Sequence, residues 1–316
     1  MKHNRSIGAR SSGLTYLDAF LPERVLHFFM PELPEVETIR RDLENKILGK
    51  KIVSVLVLAK KSVHYSANKF IKVLTSDRIE KINRRGKLLY CSFVKSDLFL
   101  LVHLKMTGQL IYRQKEKITA GGHSLGKIDF ELPNKFTRVI IRFSDGSELF
   151  FNDLRRFGYL KLNTAEEKDK ILQKSFGIEP LTSDFKYPAF VKLFEKRKTT
   201  IKALLLNQKL IAGIGNIYAD ETCFCAGVRP DRRVGKINEE EKKKIFKCIE
   251  SVLKLSIKNR GTTFNSYVDC DGKVGGFVRL LKVYGREGEK CRRCSGVIKK
   301  IKAAGRGTHF CLNCQK

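Results

Sequence analysis

A proline near the beginning of the chain has the most distinctive chemistry in this sequence. Residues 30–38 read MPELPEVET, like the start of a protein, although 29 residues precede them. If translation starts at Met30 and this methionine is removed, Pro31 carries a free secondary amine. An α-amino group titrates near ~8 and is therefore partly neutral and nucleophilic at physiological pH. Inside a chain the same nitrogen is a tertiary amide without a proton. Glu32 and Glu35 would provide carboxylates beside this nucleophile.

The same segment also has an ordinary structural interpretation. A proline in the first turn, followed by acidic residues, is typical of the beginning of a helix. The apolar residues recur every three or four positions, which predicts an amphipathic helix; they are Val36, Ile39, Leu43 and Ile47. From this segment alone, a nucleophile and a helix start are both open interpretations.

Four cysteines near the carboxyl end have the spacing of a metal site. Cys291 and Cys294 form one Cys-x-x-Cys pair, Cys311 and Cys314 form a second, and sixteen residues separate the pairs. Two such pairs place four thiolates at the corners of a tetrahedron, which predicts one structural Zn²⁺ ion. Between the pairs, Arg306 lies in a glycine-flanked turn. There it either contacts a phosphate or is simply solvated.

A glycine-rich turn in the second half suits phosphate binding. Residues 213–216 read GIGN, and a helix is predicted to begin near Ile217. Glycines allow close approach of the backbone, and the N-terminus of the following helix would offer free N–H groups to an anion. Lys202 lies on the preceding helical segment. The alternative is an ordinary turn between helices.

Two further turns carry residues that suit the recognition of an opened duplex. Arg155 and Phe157 lie together after a predicted strand, and Met106 lies in another turn. Such side chains can fill the space left by an extruded base, although Met106 and Phe157 could also belong to the core. Lys87 is predicted at the start of a strand, where the alternative is a solvated edge charge.

The composition of the chain favours a polyanionic partner. The 316 residues include 63 Lys and Arg against 33 Asp and Glu, which gives a formal net charge of +30. This excess favours nucleic acid, although a membrane surface or a ribosomal role would also suit a basic chain. No apolar run approaches the roughly 20 residues that cross a bilayer. Residues 1–29 lack the apolar core of a signal peptide. We interpret them as the product of an upstream start codon, with organelle targeting as the less favoured alternative.

The five remaining cysteines are scattered among apolar or loop residues; they are Cys91, Cys223, Cys225, Cys248 and Cys270. A total of nine is odd, and four of the nine have metal spacing. This usage predicts a reduced intracellular chain in which the other five are small buried hydrophobic residues.

Two structurally different halves must position these residues. The first half predicts a helix followed by strands, with an Asp-Gly hairpin turn at 144–146; the predicted strands are residues 52–58, 87–94, 98–104, 138–143 and 148–151. Residues 113–135 are predicted to form a polar loop. The second half has helical periodicity, and Asn238 followed by three glutamates predicts a capping box at the start of a long helix.

Together these motifs resemble those of the formamidopyrimidine-DNA glycosylase family over residues 30–316. The motifs are residues 31–38 (PELPEVET), 84–87 (RRGK), 153–158 (DLRRFG), 213–218 (GIGNIY) and the four terminal cysteines. The resemblance implies an α+β multidomain fold. It would comprise an N-terminal catalytic β-sandwich with a leading helix (30–160), a helical helix–two-turn–helix DNA-binding domain (161–287) and a C-terminal zinc finger (288–316). Residues 1–29 would be an extension that the mature enzyme lacks.

The resemblance also implies a reaction in base excision repair. Pro31 would attack the sugar C1′ of a damaged nucleotide and form a Schiff base, while Glu32 acts as general acid and base. Lys87 matches the catalytic lysine of the family, and Arg306 matches the finger arginine of the second elimination. The implied enzyme is a bifunctional glycosylase and lyase that removes 8-oxoguanine and formamidopyrimidines by β,δ-elimination, with one structural Zn²⁺.

The implied partner is damaged double-stranded DNA, bound by a monomer in the cytoplasm or nucleoid without any membrane. The residues that resemble family contacts to DNA are Arg197, Lys202 and Asn216 at phosphates, and Met106, Arg155 and Phe157 in the space of the flipped base. The segment 267–277 would cover that base. Leu154 and Phe136 depart from the family pattern, in which proline and histidine are common at those positions.

Two other functions stay open from the sequence. One is an oxidised-pyrimidine glycosylase of the endonuclease VIII type, although that branch usually begins PEGPE rather than PELPE. The other is a non-catalytic DNA-binding zinc protein that has kept the same scaffold.

Overall fold

A computed structural model of the chain describes residues 30–122, 131–262 and 276–316. Residues 1–29, Cys270 and most of the 267–277 segment lie outside the described residues. Hydrophobic cores lie between two antiparallel sheets, among the helices of the second half, and beneath a C-terminal hairpin. These cores hold the elements that carry the candidate site.

The first half is a β-sandwich with a leading helix, α1 (Leu33–Ile47). Its strands are β1 (Ile52–Val57), β2 (Ile79–Arg85), β3 (Leu88–Phe93), β4 (Phe99–His103), β5 (Gly108–Gln114), β6 (Lys117–Gly122), β7 (Thr137–Phe143), β8 (Glu148–Asp153) and β9 (Tyr159–Asn163), and a second helix, α2, spans Ala67–Leu74. One sheet has the order β1-β7-β8-β5-β6 and the other β2-β3-β4-β9. The apolar stripe of α1 packs into the core between them. The predicted helix and sandwich are thus confirmed.

The Asp-Gly hairpin is also confirmed, because β7 and β8 pair antiparallel around it. In its turn, Asp145 Oδ1 accepts a hydrogen bond from the Ser147 backbone N–H at 3.0 Å. The prediction of a loop over 113–135 is wrong in part, because β5 extends to Gln114 and β6 pairs with it. Strand β6 is a short edge strand that begins with Lys117 and ends in Gly121 and Gly122. Lysine and glycine are depleted in strands, so the sequence did not reveal it.

The second half is helical, with α3 (Ala165–Ser175), α4 (Tyr187–Lys192), α5 (Ile201–Leu206), α6 (Asn216–Ala226), α7 (Glu239–Lys258) and α8 (Phe277–Leu280). The capping box predicted for α7 is present. Asn238 Oδ1 accepts from the Glu241 N–H at 2.9 Å, and Glu241 Oε2 accepts from the Asn238 N–H at 3.0 Å. Among the helices of the described ranges, none combines the length and apolar character of a membrane span.

The prediction that Cys225 and Cys248 are reduced, buried residues is wrong. Cys225 on α6 and Cys248 on α7 form a disulfide bond. The two helices pack side by side and bring the two Cα atoms to 5.8 Å, a separation that a disulfide bridges. Cys91 and Cys223 are buried free thiols, as predicted.

The chain ends in a hairpin of β10 (Ile298–Ala303) and β11 (Arg306–Cys311). A small core beneath it includes Phe224 of α6 and Ile298 of β10. The hairpin is therefore packed directly on the helix that follows the glycine-rich turn.

The two halves meet where α1 begins. The Leu33 N–H donates to the Gly213 carbonyl at 3.0 Å, although the two residues are far apart in the sequence. Gly213 has a φ of +91°, and a Cβ there would lie 2.6 Å from the Leu33 side chain. Arg260 after α7 also pairs with Asp42 of α1 at 2.6 Å. The start of α1 is thus fixed against the glycine-rich turn.

Candidate active site

The carboxylate of Glu32 lies at the N-terminus of α6. Its oxygens accept hydrogen bonds from the backbone N–H groups of Gly215 at 2.7 Å, Ile217 at 3.0 Å and Tyr218 at 3.4 Å. These are among the N–H donors that the sequence offered to a phosphate. The helix end instead binds an anionic side chain of the same protein, which suits its unpaired N–H groups and positive dipole equally well.

A second carboxylate supports the first. Glu35 Oε2 accepts from the Glu32 backbone N–H at 3.0 Å, so the helix-start interpretation of this segment is also correct. Glu35 Oε1 accepts from the Tyr218 hydroxyl at 2.5 Å and from the Thr262 N–H at 2.7 Å. Tyr218 in turn contacts the Ser256 hydroxyl at 2.6 Å. Both halves of the molecule therefore fix the backbone beside Pro31, which is itself buried.

The electrostatics of the site favour proton transfer near neutral pH. Burial raises the pKa of Glu32 to about 7, against the opposing effect of the nearby Lys87 charge. Burial also lowers the pKa of Lys87; the Glu32 carboxylate opposes this shift and Arg306 adds to it. Lys87 is only 6% exposed, so the alternative of a solvated edge charge is excluded. A carboxyl group that titrates near 7 can both donate and accept a proton at physiological pH.

The arginines before Lys87 join the sandwich to the helical half. Arg84 donates from Nε to Glu37 of α1 at 3.0 Å, and its other nitrogen pairs with Glu179. Arg85 pairs with the same Glu179 carboxylate at 3.2 Å. Although burial alone would raise the pKa of Glu37, hydrogen bonds from its arginine neighbours lower that pKa to about 2. This ion-pair network fixes the strand that presents Lys87.

Gly215→Ala is expected to disrupt the seat of Glu32. A Cβ at position 215 would overlap the Glu32 carboxyl group, and the backbone on both sides is hydrogen-bonded. Overpacking of this kind costs about 1–3 kcal/mol of the free energy of unfolding. We expect that loss in urea titrations, together with a lower rate of base release because the carboxylate is displaced.

Gly235→Ala is the matched control for this substitution. A Cβ at position 235 would meet no atom within 4 Å. Its effect on the free energy of unfolding should stay within about 0.5 kcal/mol. If both variants were equally stable and active, Glu32 would not depend on close approach of the turn.

The structure brings Met106, Arg155 and Phe157 together. The Arg155 guanidinium lies 3.2 Å from the Met106 sulfur and 4.9 Å from the centre of the Phe157 ring. Phe157 is 54% exposed, which excludes the core alternative for this residue. An exposed aromatic ring stacked by an arginine is suited to replace a base in a duplex.

The loop that carries this trio is held by Asp153. Its carboxylate accepts from the Gly158 N–H at 2.7 Å, from the Arg155 N–H at 3.2 Å and from the Thr107 hydroxyl at 2.5 Å. Thr107 also accepts from the Arg155 N–H at 2.9 Å. These bonds fix the turn that carries Leu154.

Lys202 does not lie where a direct phosphate contact would require it. Its side chain is completely buried and pairs with Asp220 at 2.7 Å. Its ammonium group also donates to the Thr308 hydroxyl at 2.8 Å and to the Gly307 carbonyl at 3.0 Å. The resemblance assigned Lys202 to a phosphate contact. Lysines are rarely buried without a partner, and the sequence analysis did not identify Asp220 as that partner.

The other predicted phosphate contacts are at the surface or partly so. Arg197 is exposed, and its Nε donates to the Leu193 carbonyl at 2.7 Å. Asn216 is half-buried, and its Nδ2 donates to the Gly307 carbonyl at 3.1 Å. Neither assignment to DNA is tested by these contacts, and both stay predictions.

The four terminal cysteines have the geometry of a zinc site. Their sulfur atoms all lie within 4.8 Å of one another. Cys291 and Cys314 have sulfurs 3.8 Å apart, and Cys294 and Cys311 have sulfurs 3.5 Å apart. A tetrahedron with Zn–S bonds of about 2.3 Å has edges of roughly 3.8 Å. The cysteines therefore fit a structural zinc ion and hold it beneath the hairpin that presents Arg306.

Two buried acids on α6 were missed by the sequence analysis. Glu221 accepts the backbone N–H groups of Lys282 at 3.0 Å and Val283 at 2.9 Å, and burial raises its pKa. Asp220 accepts the His309 N–H at 2.8 Å. Neighbouring acids in a helix whose other residues are mostly apolar were the available signal, because buried charges need partners.

Comparisons with known proteins agree with this architecture. Residues 30–160 match the formamidopyrimidine-DNA glycosylase N-terminal domain, residues 176–267 match the formamidopyrimidine-DNA glycosylase H2TH domain, and residues 288–316 match a zinc finger found in FPG and IleRS. The fold and the site thus define a zinc-finger DNA glycosylase of base excision repair.

Similar proteins narrow this class to one family. The formamidopyrimidine-DNA glycosylase of Heliobacterium modesticaldum is 42% identical over 289 residues, which cover 91% of this chain and 100% of that protein. The same enzyme of Listeria monocytogenes is 40% identical over 290 residues, with 91% and 100% covered. Lactococcus lactis Fpg in complex with abasic-site DNA has a TM-score of 0.79 and 35% identity, with 90% of this chain and 99% of that chain covered. The chain belongs to the formamidopyrimidine-DNA glycosylase family.

Proposed function

We propose that this chain removes oxidised purines, namely 8-oxoguanine and formamidopyrimidines, from double-stranded DNA and then cuts the strand as a lyase. The observation that carries the proposal is the buried carboxyl group of Glu32, which the N-terminus of α6 holds directly beside Pro31. Its burial raises its pKa to about 7. A solved structure of Lactococcus lactis FPG contains Fapy-dG DNA, and 35% sequence identity to it supports the same class of lesion here.

In the proposed reaction, the amine of Pro31 forms a bond to C1′ of the damaged nucleotide while the bond from C1′ to the base breaks. The base leaves with the electron pair and takes up the proton that the Pro31 nitrogen loses as it becomes a neutral amine again. Glu32 then donates a proton to the sugar ring oxygen as the ring opens, which yields an iminium ion on the Pro31 nitrogen. This reaction requires that nitrogen to be free of a peptide bond, so we propose that the mature enzyme begins at Pro31.

The iminium ion makes strand cleavage possible. Its positive charge acidifies the C2′ proton, which the Glu32 carboxylate removes, and the 3′-phosphate leaves with the electron pair of its C–O bond. A second elimination removes the C4′ proton and expels the 5′-phosphate with the electron pair of its C–O bond. Water then releases the sugar fragment from Pro31 and leaves a one-nucleotide gap. Lys87 lies close enough for its charge to act on Glu32 and Arg306. We assign Lys87 to proton transfer and Arg306 to the leaving 5′-phosphate.

DNA is proposed to lie across the cleft between the sandwich and the helical half. Met106, Arg155 and Phe157 would fill the space of the extruded base, and Asn216 and Arg197 would contact phosphates. We propose a division into units at 30–160, 161–287 and 288–316. Separate hydrophobic cores support the first boundary, whereas the core beneath the finger hairpin also includes Phe224 and Val283 of the helical half. Because one chain supplies every residue of the site, we propose that it acts as a monomer in the cell compartment that holds its DNA.

Borohydride trapping on lesion-bearing duplexes tests the proposal. A form that begins at Pro31 should form a covalent adduct with DNA that contains 8-oxoguanine opposite cytosine, and it should react more slowly with thymine glycol. The reverse preference would identify an oxidised-pyrimidine glycosylase. Tight binding without any adduct would identify a non-catalytic DNA-binding protein.

Arg306→Ala should impair strand processing more than base release. Without its guanidinium the second elimination loses charge stabilisation at the leaving 5′-phosphate, which costs about 100-fold for a group of this kind. The ratio of δ- to β-elimination products on a labelled duplex measures the effect. Arg292→Ala is the control, because Arg292 is an exposed finger arginine whose guanidinium is bonded to the Arg279 carbonyl. Equal losses of base release and second elimination in Arg306→Ala would contradict the assigned role.

A further inference from the structure

Arg306 stands at the tip of the finger hairpin, exposed to solvent. The two residues before it, Ala304 and Gly305, have positive φ values of 51° and 71°, so the tip is a tight turn. A side chain at such a tip is only as well placed as the backbone that carries it. The position of Arg306 therefore depends on the contacts that fix this backbone against the rest of the site.

The residue after Arg306 bonds the hairpin backbone to the helical half. The Gly307 carbonyl accepts one hydrogen bond from Lys202 Nζ at 3.0 Å and another from Asn216 Nδ2 at 3.1 Å. The Thr308 hydroxyl accepts a further bond from Lys202 at 2.8 Å. The helical half therefore holds the hairpin through one buried ammonium group and one amide.

Asp220 organises this contact. It has no solvent exposure, and its carboxylate pairs with Lys202 at 2.7 Å and accepts the His309 backbone N–H at 2.8 Å. Asp220 thus fixes Lys202, which is bonded to the start of β11. Asp220 is also bonded to β11 directly, at a position three residues beyond Arg306.

Asp220 also lies on the helix that seats the general acid. Its position on α6 is one turn beyond Asn216, and the N-terminus of the same helix binds Glu32. Helix α6 is therefore a rigid connection between the seat of Glu32 and the support of Arg306. A displacement of about 1 Å in such a connection costs up to ~100-fold in rate.

We propose that Asp220 is a positioning residue for strand cleavage, which sets the finger arginine at a fixed place relative to Glu32. This inference rests on the proposed function, because it takes the role of Arg306 in the second elimination as given. Asp220 itself touches no DNA. It acts through Lys202 and the hairpin backbone.

Asp220→Asn tests the inference in the active, zinc-loaded enzyme. Asparagine keeps the shape of the Asp220 side chain but removes the charge that holds Lys202. The hydrogen bonds from Lys202 to the hairpin are therefore weakened. We expect the ratio of δ- to β-elimination products to fall about tenfold, while base release changes less than about threefold. Asp231→Asn is the control, since Asp231 is a half-exposed acid paired with Arg229, and it should leave both rates unchanged.

A second variant separates positioning from loss of stability. Asp220→Asn leaves the Lys202 ammonium buried without its partner, which can destabilise the protein by itself. The double variant Lys202→Met/Asp220→Leu removes both charges and the Lys202 hydrogen bonds to Gly307 and Thr308, and it leaves only the Asn216 bond to Gly307. Its melting temperature and its content of one zinc per chain should be normal. Its ratio of δ- to β-elimination products should fall by the same tenfold. A wild-type product ratio in the double variant would overturn the inference.

Combination with Arg306→Ala gives the sharpest outcome. If Asp220 acts through Arg306, then Asp220→Asn should have no further effect on the product ratio in the Arg306→Ala background. A further tenfold loss would overturn the inference and leave the proposed function intact. An Arg306→Ala enzyme with a wild-type product ratio would instead overturn the assigned role of Arg306.

Discussion

Replacing Glu32 by glutamine is expected to slow base release by about 1,000-fold, within the range for a lost general acid or base. Glutamine preserves the size of the side chain and can still accept hydrogen bonds from the α6 N-terminus through its oxygen. It cannot donate a carboxylic proton to the sugar ring or remove the C2′ proton. Single-turnover rates of base release on an 8-oxoguanine duplex would measure the loss, with the melting temperature as a check of folding.

Glu44→Gln is the matched control for that experiment. Glu44 lies on the same helix, α1, but is 40% exposed and pairs only with Arg40. Its replacement should change the rate less than twofold, since exposed ion pairs contribute little. A folded Glu32→Gln enzyme that kept more than a tenth of the wild-type rate would show that proton transfer depends on another group.

Retention of residues 1–30 is expected to abolish the covalent chemistry altogether. In that form the Pro31 nitrogen is a tertiary amide, which has no available lone pair and cannot form an iminium ion. Borohydride trapping should therefore give an adduct with the form that begins at Pro31 and none above background with the form that begins at Met1. Both forms should bind lesion DNA, which gel-shift titration would verify.

A Pro31→Gly form that begins at residue 31 provides the control for the nucleophile. It keeps a free primary amine and should retain part of the trapping. An adduct of normal yield from the chain that still carries residues 1–30 would show that another amine reacts. Lys87 would then be the first residue to substitute.

Local patterns predicted much of this fold. The capping box at Asn238, the hairpin around Asp145 and the two Cys-x-x-Cys pairs each depend on residues close in sequence, and all three are present. Strand β6 was missed because it is short and contains a lysine and two glycines, which are depleted in strands. Local chemistry is readable from sequence whenever its partners are near neighbours.

The positions of the site residues depend on partners that are far apart in the chain. Glu32 binds donors 183 or more residues away, and Lys202 binds a carbonyl 105 residues away. The type of each residue signalled chemistry, yet nothing local showed that the α6 N-terminus is filled by a protein carboxylate. For the same reason the Cys225–Cys248 bond could not be foreseen, since it depends on how α6 packs against α7.

The joint between α1 and the glycine-rich turn also limits how the molecule can open. Leu33, Glu32 and Glu35 are all bonded across it, so separating the halves there would break the hydrogen bonds that hold the Glu32 carboxylate. If the two halves move apart to admit a duplex, this joint would act as the hinge. The parts of each half that lie farthest from the joint would then move most. The Glu32 carboxylate would then stay bound to α6 while DNA binds. Only the distance from Met106, Arg155 and Phe157 to the helical half would change.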